Sequence, residues 1–261
     1  RGIFWTPQNG GHWFINDQEL LFQAAKSPDL FSNNANPDRA GDDGQVIMIP
    51  PYDGAGPNFG PLCLDPPRHG VYRMPLMKVF APNEIKRMEA SVRALAKTLI
   101  AALARKGRGE YLDAVGEPLP VTVFMKMMGM PLARLAEFRG WMNDMASDDN
   151  DRRIIAIGKV AEAMRALVAA RQQERQDDLI SHLLDCEIDA RPPTMADMEG
   201  YCLLLFTAGL DTLVNAFTYG MCHLAIDPAL QERVRADRAL IPELIEEILR
   251  RYAVVMVPQM V

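Results

Sequence analysis

The segment Tyr201–Ile226 constrains the fold of this chain more than any other part, because its 26 residues are almost continuously apolar. A stretch of this length and composition is long enough to cross a bilayer. Asp211 stands near its middle, however, and a central Asp costs about 2.5–3.5 kcal/mol on membrane-insertion scales. Asn215 and His223 add to that cost, and no cluster of Lys or Arg flanks the segment. We therefore expect a long buried helix of a soluble protein and no membrane span.

Composition is typical of a globular protein and excludes several functional classes. The chain has 261 residues, of which 49% are apolar and 24% charged, and a chain of this size forms one large or two small domains. Its net charge of −6 disfavours nucleic-acid binding, which needs a basic surface. The cysteines form no C-x-x-C pair and no disulfide framework, which favours a reducing cytoplasm. They are Cys63, Cys186, Cys202 and Cys222.

Local patterns predict a mainly α fold with a small β element near the N-terminus. Two short strands flank the turn signal at residues 9–11, and apolar residues at helical spacing predict a helix from Asn83 to Lys106. Thr194 and Asp197 resemble a capping box that opens the long apolar helix. Residues 32–67 contain seven Pro and five Gly, so we expect an irregular loop there that carries function.

The middle of the long helix reads Thr207-Ala208-Gly209-Leu210-Asp211-Thr212. A Gly inside a helix costs about 1 kcal/mol relative to Ala, and an Asp in an apolar helix needs a partner or a shifted pKa. The small residues Ala208 and Gly209 allow a large or flat group to approach the backbone. On this pattern alone, tight helix packing is the favoured alternative, with Thr212 bonding back to the Ala208 carbonyl.

A second motif, Asp65-Pro66-Pro67-Arg68-His69-Gly70-Val71-Tyr72-Arg73, predicts a helix that starts with Asp65 as its cap. His69 and Arg73 are four residues apart, so both project from one helix face. Two donors at this spacing can hold a carboxylate. An exposed, unoccupied His–Arg pair is the common alternative.

A third motif is Glu246-Glu247-Ile248-Leu249-Arg250-Arg251, in a predicted helix that opens at Pro242-Glu243. Glu247 and Arg250 have the spacing of an ion pair, which contributes about 0.2–0.5 kcal/mol on an exposed helix. Pairs of Glu246 with Arg250 and of Glu247 with Arg251 are equally allowed by spacing.

The loop Asp148-Asp149-Asn150-Asp151 is the one candidate for a divalent cation, through its carboxylate oxygens. Solvated carboxylates are the commoner outcome in such loops. His12, His182 and His223 have no partner at metal-ligand spacing, so we expect them to be structural and predict no metal site.

Four segments, taken in order, resemble the cytochrome P-450 superfamily of haem-thiolate monooxygenases: NGGHW, LDPPRHGVYR, LLLFTAGLDTLVN and EEILRR. The similarity is closest to bacterial camphor hydroxylases and covers nearly the whole chain. It implies a single partial domain over residues 1–261, with the helical core up to the E-x-x-R helix. Because four segments occur in the right order, the resemblance outweighs the local alternatives.

The resemblance implies a role for each matching residue. His69 and Arg73 match a pair that binds a haem propionate, and Ala208 and Gly209 match the small residues that cross the haem face. Asp211 and Thr212 match the acid–alcohol pair that guides protons to iron-bound dioxygen. Glu247 and Arg250 match the E-x-x-R pair, which is structural. Three positions match residues that face the substrate: Phe59, Leu204 and Thr207.

The implied activity is hydroxylation of a small apolar substrate, such as a terpenoid, with dioxygen. Electrons would come from a ferredoxin that docks near Arg68, Arg73 and Lys78, in the cytoplasm of a bacterium. The family binds iron through a cysteine in an F-x-x-G-x-H-x-C-x-G loop beyond the E-x-x-R helix. This sequence stops at Val261, before such a loop, so we expect a fragment without the axial cysteine.

Three alternatives remain at this point. The first is an inactive fragment of the same family that lacks the thiolate. The second is a metal-dependent helical enzyme, such as a terpene synthase, that uses the acidic loop at residues 148–151. The third is a helical interaction scaffold without catalysis.

Overall fold

The computed structural model describes residues 2–8, 11–32, 60–62, 64–145 and 147–254. Phe59, the expected substrate-facing residue of the Pro- and Gly-rich loop, lies outside these ranges, as does Cys63.

The N-terminal part is a two-stranded antiparallel sheet followed by a short helix. Strands β1 (Ile3–Thr6) and β2 (His12–Ile15) pair with Ile3 opposite Ile15 and Thr6 opposite His12. Helix α1 (Gln18–Ala25) begins after Asp17, whose carboxylate accepts a hydrogen bond from the backbone N–H of Leu20. The predicted small β element is confirmed.

Nine further helices account for most of the described chain, which confirms the mainly α fold. Two short turns of 3₁₀ helix (132–134 and 238–240) and a π-helical turn (Leu112–Gly116) connect them. The helices are α2 (Arg68–Val79), α3 (Pro82–Lys106), α4 (Pro118–Met127), α5 (Leu135–Met145), α6 (Asn150–Gln173), α7 (Leu179–Leu184), α8 (Met195–Ile226), α9 (Pro228–Ala236) and α10 (Ile241–Arg251).

The core lies where α4, α5, α6 and α7 surround the first half of α8. Apolar side chains from these helices form one contiguous cluster that includes Met125, Phe138, Met164, Leu183 and Phe206. Burial of such a cluster is the main source of stability for helices of this kind. The first half of α8 is therefore the rigid centre of the molecule.

Helix α8 begins as its sequence predicts. The Thr194 hydroxyl accepts from the backbone N–H of Asp197, and the Asp197 carboxylate accepts from the N–H of Thr194, which completes a capping box. By length and composition α8 is the one described helix that resembles a membrane span, and a third of its most apolar stretch is buried. The core helix of a water-soluble protein passes the same test.

One local prediction is wrong. Asp65 does not cap α2, which begins at Arg68 without a side-chain cap, because the Asp65 carboxylate instead accepts a hydrogen bond from the Ser32 hydroxyl at 2.6 Å. In the loop at residues 148–151, Asp149 caps α6 by accepting hydrogen bonds from the backbone N–H groups of Asp151 and Arg152. Among the described residues, no three His, Cys, Asp or Glu side chains cluster to hold a metal ion.

Candidate functional site

The middle of α8 presents a face of small and apolar side chains that the described chain leaves partly uncovered. Leu204, Ala208 and Thr212 follow one another at intervals of four residues, so they share one side of the helix. Ala208 is exposed, and Leu204 and Thr212 are half-buried. This face therefore offers a shallow surface on which a flat group can lie.

Gly209 has a separate reason for lacking a side chain. A Cβ at this position would overlap the ring of Phe124 on α4. The glycine thus lets α4 and α8 pack closely at this level, which was the packing alternative raised by the sequence. The neighbouring Ala208 faces solvent, so the two small residues serve different sides of α8.

The two threonines of the motif both bond back to the helix. The Thr212 hydroxyl donates to the Ala208 carbonyl at 2.7 Å, and the Thr207 hydroxyl donates to the Leu203 carbonyl at 2.8 Å. Such bonds satisfy a hydroxyl without a tertiary partner. Thr populates two rotamers in a helix, so a second orientation of the Thr212 hydroxyl is sterically allowed.

The Asp211 side chain lies on a different side of α8 from the Thr212 side chain. Its carboxylate accepts a hydrogen bond from the side-chain amide of Asn215 at 3.0 Å. It lines a cavity of about 230 Å³ between α8, α5 and the segment before α4. The opposite wall carries an ion pair between Arg139 of α5 and the buried Glu117. Asp211 and Thr212 thus lie next to each other along the chain but contact different spaces.

Helix α2 carries the expected carboxylate-binding pair. His69 is half-buried and Arg73 is exposed. Neither side chain forms a hydrogen bond or an ion pair within the described residues. The two cationic or donor groups are therefore available to an anionic ligand.

The E-x-x-R motif on α10 forms the pair that the resemblance implies. Arg250 donates two hydrogen bonds to the Glu247 carboxylate, both at 2.6 Å. Neither Glu246–Arg250 nor Glu247–Arg251 forms in the described structure. The Arg250 hydrogen bond is the main reason that the pKa of Glu247 lies below its usual value. Both side chains are more than half exposed, so this pair adds little stability by itself.

Sequence reasoning missed a buried polar cluster at the first turn of α8. The Tyr72 hydroxyl and the Arg191 guanidinium each donate to the Asp197 carboxylate at 2.7 Å. The capping-box pattern indicates Asp197, but its hydrogen-bond partner Tyr72 lies 125 residues away in sequence. No local signal pairs them.

The comparisons with known proteins decide the family. The family model described as "Cytochrome P450" matches residues 110–243, which is half of the chain. The chain belongs to the cytochrome P450 family.

Individual relatives agree with this assignment. The methyl-branched lipid omega-hydroxylase of Mycobacterium tuberculosis is 30% identical over 92% of this chain, and the cyclomarin C epoxidase CymV of Salinispora arenicola is 30% identical over 91%. The crystal structure of CYP101J2 superposes with a TM-score of 0.78 at 29% identity and covers 97% of this chain. The chain spans 57%, 60% and 61% of these three proteins, respectively.

Cytochrome P450 membership implies a haem, and the described residues fit one side of it. The small, partly uncovered face of α8 around Ala208 suits a flat macrocycle. His69 and Arg73 have no partner in the described part of the chain and suit a propionate. Two of the described cysteines, Cys186 and Cys202, fit an iron ligand less well, because a ligand must be a thiolate. Burial raises the pKa of Cys202 to about 12 and also raises that of Cys186.

Proposed function

We propose that this P450 chain forms the oxygen-activating side of a haem-dependent monooxygenase that hydroxylates a small apolar, terpenoid-like substrate. The observation that carries the proposal is the arrangement of Asp211 and Thr212 on α8. Asp211 lines a cavity that also contains the charged groups of Glu117 and Arg139, and Thr212 lies on the partly uncovered face of α8. Such a pair can connect a water-containing space to a dry one.

Haem with a thiolate ligand, when bound, activates dioxygen so that one oxygen atom enters a C–H bond and the other leaves as water. The chain's own residues control the protons that this reaction consumes. Asp211 exchanges protons with water that enters the cavity beside Arg139. The hydrogen bond from Asn215 holds the Asp211 carboxylate in its orientation. Thr212 turns its hydroxyl from the Ala208 carbonyl toward the open face and there donates a hydrogen bond.

The proposed substrate surface lies on the same helix. Leu204 is half-buried and apolar, and the Thr207 hydroxyl is satisfied by the Leu203 carbonyl, so neither residue demands a polar substrate. Phe59 is the third proposed contact. The two relatives named above are a hydroxylase of a methyl-branched lipid and an epoxidase of cyclomarin C, which supports oxygen insertion as the class of reaction.

Electrons are proposed to come from a cytoplasmic ferredoxin that docks on α2. Arg68 and Lys78 are exposed on this helix near Arg73, the proposed propionate ligand, and an iron–sulfur protein with an acidic surface would be attracted to them. The rate of reduction should fall strongly as salt rises, because exposed charges are screened. A rate independent of salt would contradict this docking surface.

The first test is haem binding. It uses the protein expressed from the complete reading frame that includes residues 1–261. We expect stoichiometric haem and, after reduction under carbon monoxide, the absorption spectrum of a thiolate-ligated haem. Haem uptake with a spectrum lacking thiolate character would favour the alternative of an inactive family member. No uptake at all would overturn the proposed function.

The second test is Thr212→Ala in the haem-loaded protein. We expect electron consumption to continue while product formed per electron pair falls at least about tenfold, because proton delivery loses its hydroxyl. Product and hydrogen peroxide would be measured together. Thr98→Ala is the matched control, because Thr98 makes the same bond to the preceding turn of α3, to Ala94, at 3.0 Å. Unchanged coupling in Thr212→Ala would contradict the role of Thr212.

A further inference from the structure

A buried carboxylate ties α2 to the first turn of α8. The Asp197 side chain is only 8% exposed and accepts four hydrogen bonds. They come from the Tyr72 hydroxyl at 2.7 Å, Arg191 at 2.7 Å, and the hydroxyl and backbone N–H of Thr194 at 2.7 and 2.8 Å. We refer to Tyr72, Arg191, Thr194 and Asp197 as the Asp197 cluster.

The cluster strongly favours the ionised carboxylate. Burial by itself would raise the pKa of Asp197, but the hydrogen bonds from Arg191, Tyr72 and Thr194 outweigh it and hold the pKa well below its usual range. Burial and the same carboxylate raise the pKa of Tyr72, so its hydroxyl keeps the proton that it donates. A charged acceptor makes this hydrogen bond about twice as strong as a neutral one.

Helix α2 is attached at Tyr72 by its backbone as well. The hydroxyl of Tyr201, a fully buried residue of α8, donates to the Tyr72 carbonyl at 2.7 Å. The rings of the two tyrosines lie 6.2 Å apart. Both the side chain and the main chain of one residue of α2 are therefore held by α8.

The rest of α2 is held by apolar contacts, which are less directional than hydrogen bonds. Val71, Leu76 and Val79 pack against the core, and the short helix α7 is the main packing partner of α2. Pro75 lies inside α2, and a proline there removes the hydrogen bond that an N–H would donate to the Val71 carbonyl. The hydrogen bonds at Tyr72 thus add a directional attachment next to the point where the helix lacks one of its own bonds.

The attachment acts on the residues expected to hold the haem. Tyr72 follows His69 by three residues and precedes Arg73 directly. Successive residues of a helix are turned by about 100°, so fixing the side chain at 72 sets the directions of 69 and 73. A rotation of α2 would move both donors away from a shared anion.

We propose that Asp197 is a positioning residue for haem binding: through Tyr72 it fixes the rotation of α2 and so directs His69 and Arg73 at the haem propionate. This inference rests on the proposed function, because it concerns the cofactor of that same site. Asp197 itself need not touch the haem. Its effect passes through one hydrogen bond to the neighbouring helix.

The test uses Tyr72→Phe in the haem-loaded protein, which removes the hydroxyl and keeps the ring. We expect haem to transfer to an excess of apomyoglobin roughly tenfold faster, as is typical when the support of a ligand is lost. Amide hydrogen exchange should become faster in residues 68–79 and stay unchanged in α3. Tyr111→Phe is the matched control, because Tyr111 is also half-buried and its hydroxyl has no hydrogen bond within the described residues.

A double-mutant cycle separates positioning from general stability. In a His69→Ala/Arg73→Ala background, Tyr72→Phe should add little to haem loss, because the residues through which it acts are gone. Full additivity would overturn the proposal, and so would an unchanged rate of haem loss in Tyr72→Phe. Failure of the wild-type protein to bind haem would instead overturn the proposed function together with this inference.

Discussion

The two halves of α8 have similar hydropathy but very different surroundings. Eight of its nine buried residues, from Asp197 to Leu210, lie in the first half, and only Gly220 lies in the second. The second half exposes large apolar side chains, among them Leu213, Phe217 and Tyr219. Hydropathy thus predicts which residues can be buried, whereas the packing of α4, α5, α6 and α7 decides which of them are.

The proposed chemistry lies where the two halves meet. Asp211 and Thr212 directly follow Leu210, the last residue of the buried run. A functional side chain at such a boundary has a rigid backbone behind it and open space in front of it. This combination is what a preorganised site requires.

The largest expected contrast between the halves comes from truncating one phenylalanine in each. Phe206 is 0% exposed and meets Phe138 edge to face, whereas Phe217 is 40% exposed. We expect Phe206→Ala to lower the free energy of unfolding by about 3–5 kcal/mol and Phe217→Ala to lower it by less than about 1 kcal/mol. Urea unfolding followed by circular dichroism measures both. Equal losses would show that the second half of α8 is buried as deeply as the first.

A smaller contrast comes from adding one methyl group in each half. Gly209→Ala would force a Cβ into the Phe124 ring, which should cost about 1–3 kcal/mol. In Gly220→Ala the new Cβ would lie 3.3 Å from the Ile248 side chain. Ile248 is only half-buried and can shift, so the gain in helix propensity of about 1 kcal/mol should leave this variant near neutral or more stable. Thermal unfolding of the two variants in parallel is the measurement, and a destabilised Gly220→Ala would show that α10 is held rigidly.

The smallest contrast is between Asp197 in the first half of α8 and Asp211 in the second. It concerns how the free energy of unfolding depends on pH. Because the folded pKa of Asp197 lies below the value of about 3.9 in an unfolded chain, its ionisation stabilises the fold above about pH 4. That contribution disappears as the pH falls through the folded pKa. Asp197→Asn should therefore cost about 1–3 kcal/mol at pH 7, and its difference from wild type should shrink as the pH falls below about 4.

Asp211→Asn is the comparison for that measurement, because Asp211 is exposed and, among the described residues, Asn215 is its one hydrogen-bond partner. Its effect on unfolding should stay within about 0.5 kcal/mol. A pH-independent cost of Asp197→Asn would mean that the carboxylate acts by shape and not by charge.

Much of this architecture follows from local sequence. The ends of α3 were predictable because Pro82 can occupy the first turn and Gly107 adopts φ of +73° at the end. The start of α8 was predictable because Thr194 and Asp197 form a capping box. Such signals act over three or four residues, so one sequence is enough to find them.

The failures involve partners that are distant in sequence. Asp65 was expected to cap α2, but its carboxylate accepts a hydrogen bond from the Ser32 hydroxyl. The sequence likewise indicated Asp211 as a residue of interest, but the cavity that it lines depends on Glu117 and Arg139 of other segments.

The close contact between Gly209 and Phe124 also has a mechanical consequence. Helix α8 has 32 residues and is therefore a rod about 48 Å long. Its first half is packed in the core up to Leu210, so bending of the exposed second half displaces each residue in proportion to its distance from the last packed turn. Asp211 and Thr212 lie only two and three residues, or about 3–4.5 Å, beyond Gly209. A motion that moves the C-terminal end of α8 by several ångströms therefore displaces this pair far less.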